Sequence, residues 1–182
     1  MAASACMLFI ACNNEKKEAT KTGDETKTST VTGDTQPPQS EMADAKYSDW
    51  GKKMLDQMSA GNMDAWGDLY ADSAKYVWSS GDSLTGKTAI LNYWKDRRSN
   101  TIDSISFTND IWLPIKVNRP QKGPDATGIW LLSWYQVMVK YKNGAKLGFW
   151  VHTDHHFNAD DKIERTIQYI DRVPINKALG VK

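Results

Sequence analysis

From residue 46 onward the chain uses two hydrophobic periods in succession. Tyr47, Trp50, Met54, Leu55 and Met58 recur every three to four positions, which predicts a helix over about 46–60. Gly61 and Asn62 end it, and Asn62 is placed to cap a second short helix carrying Met63, Trp66, Leu69 and Tyr70. A short strand is predicted over Lys75 to Ser79. A third helix follows from about Gly86 to Arg98 and buries Ala89, Ile90, Tyr93 and Trp94. Beyond residue 100 the period drops to two, predicting strands over about 103–117, 127–142, 145–158 and 162–172, the first bending near Pro114. Helices followed by an uninterrupted strand meander give an α+β class, with three N-terminal helices packed on a curved antiparallel sheet.

The sharpest local signal is Asn143-Gly144. Between two strands it favours a two-residue type I′ turn, which pairs Lys142 with Ala145 and fixes the hairpin register. That register puts Trp130, Leu132, Trp134, Gln136 and Met138 on one face, beside Phe157, His155, Thr153, Val151 and Phe149. This face is the bulkier and is expected to meet the helices and line a cavity. The other face carries Leu131, Ser133, Tyr135 and Val137 with His156, Asp154, His152 and Trp150. Its mixed character suits solvent or a dimer partner.

The start of the chain has a different texture. Residues 1–12 hold a short apolar run ending in Ile10-Ala11-Cys12, which resembles the lipobox of bacterial lipoproteins and implies lipidation at Cys12. The Thr/Lys/Asp/Gly/Ser-rich segment 13–45 buries too little apolar surface to fold and reads as a flexible tether. These readings imply a lipid anchor at a bacterial cell envelope, with a cytoplasmic location as the alternative if the leader is not a signal. Membrane contact is expected through the anchor alone. Both cysteines lie in this leader, so residues 46–182 contain no disulfide and no cysteine nucleophile. A net charge of +1 over 182 residues supplies no single-sign field for nucleic acid. Eight Trp are unusual for one domain and suit a deep core or a pocket wall.

Two segments frame the domain: Trp66 to Trp78 with Leu84-Thr-Gly-Lys-Thr-Ala-Ile90, and Asp161 to Asp171 with Ala178-Leu-Gly180. In order and spacing they resemble the NTF2-like superfamily, and its SnoaL-like branch most closely. The resemblance implies a cone-shaped α+β fold over 46–182, and leaves open whether the chain is an isomerase, a cyclase, a dehydratase or a binding module. Ketosteroid isomerases, relatives on that fold, carry a proton-abstracting Asp shortly after a motif like Ala71-Asp-Ser-Ala-Lys-Tyr-Val77. The matching position here is Trp78, which cannot abstract a proton. Asp171 matches the family's terminal-strand aspartate and reads as a structural group holding the C-terminal segment.

Three clusters carry candidate chemistry. Gly81 to Thr88 fits the P-loop spacing, but Asp82 opposes a phosphate and the βα units such a domain needs are missing downstream. His152, Asp154 and His156 alternate on one strand face roughly 7 Å apart, a weak alternative as a metal set. His155 points the other way, into the expected cavity, and is the candidate acid or base. Trp78, Trp130, Trp134, Gln136, Thr153 and Tyr70 are the candidate ligand contacts. No cofactor is expected. A small apolar or aromatic ligand in an aromatic cavity, with a homodimer through the outer sheet face, is the favoured picture. The alternatives are a SnoaL-like isomerase, hydratase or cyclase-type enzyme using His155 as acid or base, or an interaction module that dimerises through the outer sheet face.

Overall fold

The computed structural model describes residues 36–120 and 126–181. The leader, Cys12 and most of the predicted tether lie outside the described residues. Seven strands form a single curved, mixed sheet: β1 (Ser40–Met42), β2 (Tyr70–Trp78), β3 (Ser83–Thr85), β4 (Ile102–Val117), β5 (Gly128–Tyr141), β6 (Lys146–Phe157) and β7 (Ile163–Tyr169). Their order is β1-β4-β5-β6-β7-β2-β3. All neighbours run antiparallel except β2 and β7, which are parallel, so the sheet is mixed rather than wholly antiparallel. Helices α1 (Lys46–Ala60), α2 (Met63–Gly67), α3 (Lys87–Asp96) and α4 (Val173–Leu179) complete the fold. Because β2 and β3 separate α2 from α3, the three helices before β4 do not form one N-terminal run.

Helix α1 buries Tyr47, Gly51, Met54, Leu55 and Met58 along one stripe. Asp44 Oδ1 accepts the Lys46 amide at its start (2.8 Å), and Gly61 closes it in the left-handed conformation at φ 77°. Gly51 is required by close approach: a Cβ there would sit 2.2 Å from the Trp112 ring on β4. The stripe thus presses onto the inner face of the sheet.

Several boundaries differ from the sequence-based expectation. The compact unit that holds the sheet takes in residues from Gln36 onward, and its β1 pairs Glu41 with Lys116, which places an edge strand inside the segment 13–45 expected as tether. Tyr70 opens β2 rather than extending α2, and it pairs in parallel with Ile163. The break in β4 comes at Asn109, with φ 54° and a register shift between Thr108 and Ile111, while Pro114 stays paired with Leu131. Gly81 to Lys87 is no phosphate cradle: Ser83–Thr85 within it form β3 and ladder onto β2.

The most consequential correction is the β5–β6 turn. Asn143 does not take a positive φ, so a type I′ turn is ruled out. Tyr141 and Ala145 instead close a three-residue loop, with Tyr141 N–H donating to Ala145 O (2.8 Å) and Gly144 N–H to Tyr141 O (2.9 Å). Gly144 takes φ 90°, the arrangement of a turn followed by a left-handed residue. The register becomes Trp130↔His156, Leu131↔His155 and Ser133↔Thr153, one residue from the predicted pairing. A one-residue slip exchanges the faces of a whole strand. The inner face of β5 is therefore Leu131, Ser133, Tyr135, Val137 and Val139, and Trp130, Trp134 and Gln136 stand on the outer face.

Candidate functional site

The inner face of the sheet and the four helices enclose a cavity of about 180 Å³. Met54, Leu55 and Met58 of α1 cover one side, and Tyr93 and Trp94 of α3 a second. Ile175 and Asn176 of α4 stand on a third. Tyr70, Tyr76 and Trp78 enter from β2, Tyr135 and Val137 from β5, and Val151, Thr153 and His155 from β6. Alternation along each strand produces this lining. Helix α4 is set by Asp171, whose Oδ1 accepts the Val173 amide (2.9 Å).

A polar strip runs across the apolar wall because β6 and β7 pair Thr153 with Gln168 and His155 with Thr166. His155 Nδ1 lies 2.9 Å from Thr166 Oγ1, and the Thr166 hydroxyl donates to Tyr70 Oη (3.3 Å). Since that hydroxyl has one proton, Nδ1 carries the hydrogen in the bond to Thr166 and Nε2 keeps its lone pair. On the other side, Trp78 Nε1 donates to Gln168 Oε1 (3.0 Å), and Tyr135 Oη meets Thr153 Oγ1 (2.9 Å). Burial with no charged neighbour to offset it pushes the His155 imidazolium down to a pKa of about 3. Burial likewise pushes the Tyr70, Tyr76 and Tyr135 hydroxyls up. At neutral pH every polar group on this strip is uncharged.

Charge appears only at the rim. The Arg97 guanidinium lies over the Tyr93 ring (5.7 Å) and Arg172 over the Trp78 ring (4.8 Å), while those two rings pack against each other (5.2 Å). Arg172 also pairs with the Asp82 carboxylate. Among the described residues no Asp or Glu lines the cavity.

Of the residues expected from sequence, His155, Thr153, Trp78 and Tyr70 line the cavity. Trp130, Trp134 and Gln136 do not, for the register reason given above. Tyr47 is buried in the core and donates to Asp161 Oδ1 (2.5 Å). Thr166, Gln168, Tyr135, Arg97 and Arg172 were missed. For Thr166 and Gln168 a signal was available, since pairing β7 antiparallel to β6 brings them beside His155 and Thr153.

The outer face holds the other two histidines in separate arrangements. His152 is sandwiched between Trp134 (4.5 Å) and Tyr169 (5.2 Å), with Nδ1 donating to Ser133 O (2.9 Å). Its Nε2 is 3.0 Å from Asp154 Oδ1, though not aligned to hydrogen-bond, so that buried oxygen has no partner. Burial pushes the Asp154 carboxyl up, against the opposing pull of His152. His156 instead spans Thr127 O (2.9 Å) and Glu164 (2.7 Å). Both nitrogens of each ring already face neighbouring oxygens, so the weak metal alternative fails on geometry. Among the described residues no set of three His, Cys, Asp or Glu is disposed to hold a metal ion.

No family model matches the sequence, and no curated protein does either. Solved structures do. An NTF2-like protein of unknown function from Burkholderia pseudomallei superposes with a TM-score of 0.57 at 8% identity, over 72% of this chain and 95% of that one. Another, from Exiguobacterium, gives 0.53 at 18% identity over 66% and 96%. A provisionally assigned polyketide cyclase from Pseudomonas putida gives 0.52 at 14% identity over 65% and 86%. The chain has the NTF2-like fold. Identities this low carry the fold and not the chemistry, so the reading of this NTF2-like cone rests on its own cavity.

Proposed function

We propose that this NTF2-like domain binds a small apolar or aromatic molecule in the cavity and does not perform acid–base chemistry on it. The observation that carries the reading is the combination of an aromatic wall with a polar strip that bears no charge. A proton shuttle works best with a pKa near the working pH. An imidazole held at about 3 and bonded to Thr166 is a feeble base and supplies no acid at pH 7. Its Nε2 remains a good hydrogen-bond acceptor for a ligand O–H or N–H.

The experiment is calorimetric titration of the full chain with 2-naphthamide, beside a Val151→Phe variant that fills the cavity from β6. Binding by wild type, lost in the variant at unchanged thermal stability, supports the reading. Equal binding by both, or failure of 2-naphthamide and of its anionic and cationic counterparts alike, rejects it.

Two further parts of the reading concern context. For the N-terminal segment we propose lipidation of Cys12 and display at the cell envelope, supported by the lipobox-like Ile10-Ala-Cys12. Among the described residues, no helix is long and apolar enough to cross a membrane. For the outer sheet face we propose a second copy of the chain, supported by exposed Ile111, Met138, Trp150 and Tyr169 on adjacent strands.

A further inference from the structure

Two side chains on the cavity wall offer hydrogen-bond donors that nothing among the described residues accepts. Trp94 has a buried Nε1–H with no partner. Arg97, three residues on, is half-buried in the π-helical turn Arg97–Thr101 that ends α3, and its guanidinium makes its contact with a ring face rather than with an oxygen. Residues three apart on a helix share a face. Both line the cavity, and the lining contains no carboxylate to answer them. Asp96, next in sequence, points its carboxylate at Asn100 Nδ2 (2.7 Å). Unsatisfied buried donors are rare in folded proteins and call for an acceptor.

We propose that the ligand is an organic anion whose flat apolar body fills the cavity and whose carboxylate-class head group is held at the rim by Arg97, with the Trp94 indole N–H as second donor. The inference rests on the apolar-pocket reading above and adds the charge of the ligand to it. Arg172 gives the rim further positive field, but Asp82 already neutralises it, which makes Arg97 the anchor. A planar guanidinium suits this role because it can donate two parallel bonds to one carboxylate. A cationic ligand is disfavoured, since two guanidinium groups border the opening and no carboxylate lines the interior.

The test uses three probes of one shape on the full chain: 2-naphthoate, 2-naphthamide and 2-naphthylmethylammonium, titrated calorimetrically. Naphthoate is expected to bind at least about 10-fold more tightly than the amide, as a charge-assisted hydrogen bond allows, and the ammonium most weakly. In Arg97→Gln the naphthoate advantage should vanish while amide affinity stays within about 2-fold of wild type, which also reports that the variant is folded. Should Arg97→Gln fail to fold, salt on the wild type decides instead: naphthoate affinity falls as sodium chloride rises and amide affinity does not. Equal binding of naphthoate and amide, or a naphthoate advantage that survives Arg97→Gln or is indifferent to salt, overturns the anion inference and leaves the pocket reading intact. Failure of all three probes to bind overturns both.

Discussion

His155 makes a thermodynamic prediction that can be worked out before any ligand is known. In the unfolded chain an imidazole titrates at 6.5, and in the cavity wall burial holds it at about 3. Between those values the unfolded state carries a proton that the folded state refuses, so stability is complete above pH 6.5 and falls as the pH drops. The limiting slope for one such group is about 1.4 kcal/mol per pH unit, and because the unfolded imidazole is already half-protonated at 6.5 the loss between pH 6.5 and 4.5 is about 2.3 kcal/mol. Other groups titrate in that window too. Asp154, pushed up by burial, acts in the opposite direction, whereas the exposed carboxylates held low by lysines lose their contribution only below this window, as the pH falls through 3.8. The comparison that isolates His155 is therefore wild type against His155→Gln, which keeps a hydrogen-bonding side chain and cannot titrate. Urea unfolding of both at pH 6.5, 5.5 and 4.5 should show the wild-type advantage shrinking by roughly 2–3 kcal/mol over the range. A constant difference at all three pH values would falsify the dry, neutral site and restore His155 as a candidate proton carrier.

Three further outcomes follow from the packing. Gly51→Ala should cost about 2 kcal/mol or more, because its Cβ would collide with the Trp112 ring, and thermal unfolding should register a drop of several degrees. Asp171→Ala removes the acceptor for the Val173 amide and should destabilise α4 by about 1 kcal/mol, seen as faster amide exchange in Val173–Leu179 with the sheet unchanged. Trp150→Glu introduces a charge at a side chain already 53% exposed, so monomer stability should barely move. If a second copy seats on that face, light scattering should show the variant as a monomer where wild type is a dimer.

Much of the fold could be read from the chain because its elements are long and strongly periodic. Helix α1 and strands β4 to β7 appear within a few residues of their expected bounds. The short elements β1, β3 and α4 escaped, although α2 and β7, of comparable length, did not. The facing of β5 also failed. Trp130, Leu132 and Trp134 alternate with Leu131, Tyr135 and Val137, so both faces of that strand are apolar and pattern alone cannot orient it. Orientation then hung on the turn, and Asn143-Gly144 admits two geometries that differ by one residue. Asn143 bonds through its side chain to the Ala145 amide (3.0 Å) and Ala178 O (2.8 Å). Those contacts account for an Asn at that position without a left-handed backbone. His155 and Thr153 were placed correctly because β6 carries its large polar groups on the opposite face. Arg97 lay beyond sequence reading, since nothing in helical spacing marks which exposed arginine borders a cavity.

Whether a ligand sits inside the cone is read from the intermolecular NMR contacts of bound 2-naphthoate. Transfer is expected from the naphthyl protons to the methyls of Met54, Val151 and Ile175, which line the cavity from three different elements. Contacts confined to Ile111, Leu113 and Met138, the exposed apolar side chains of the outer sheet face, would contradict that placement.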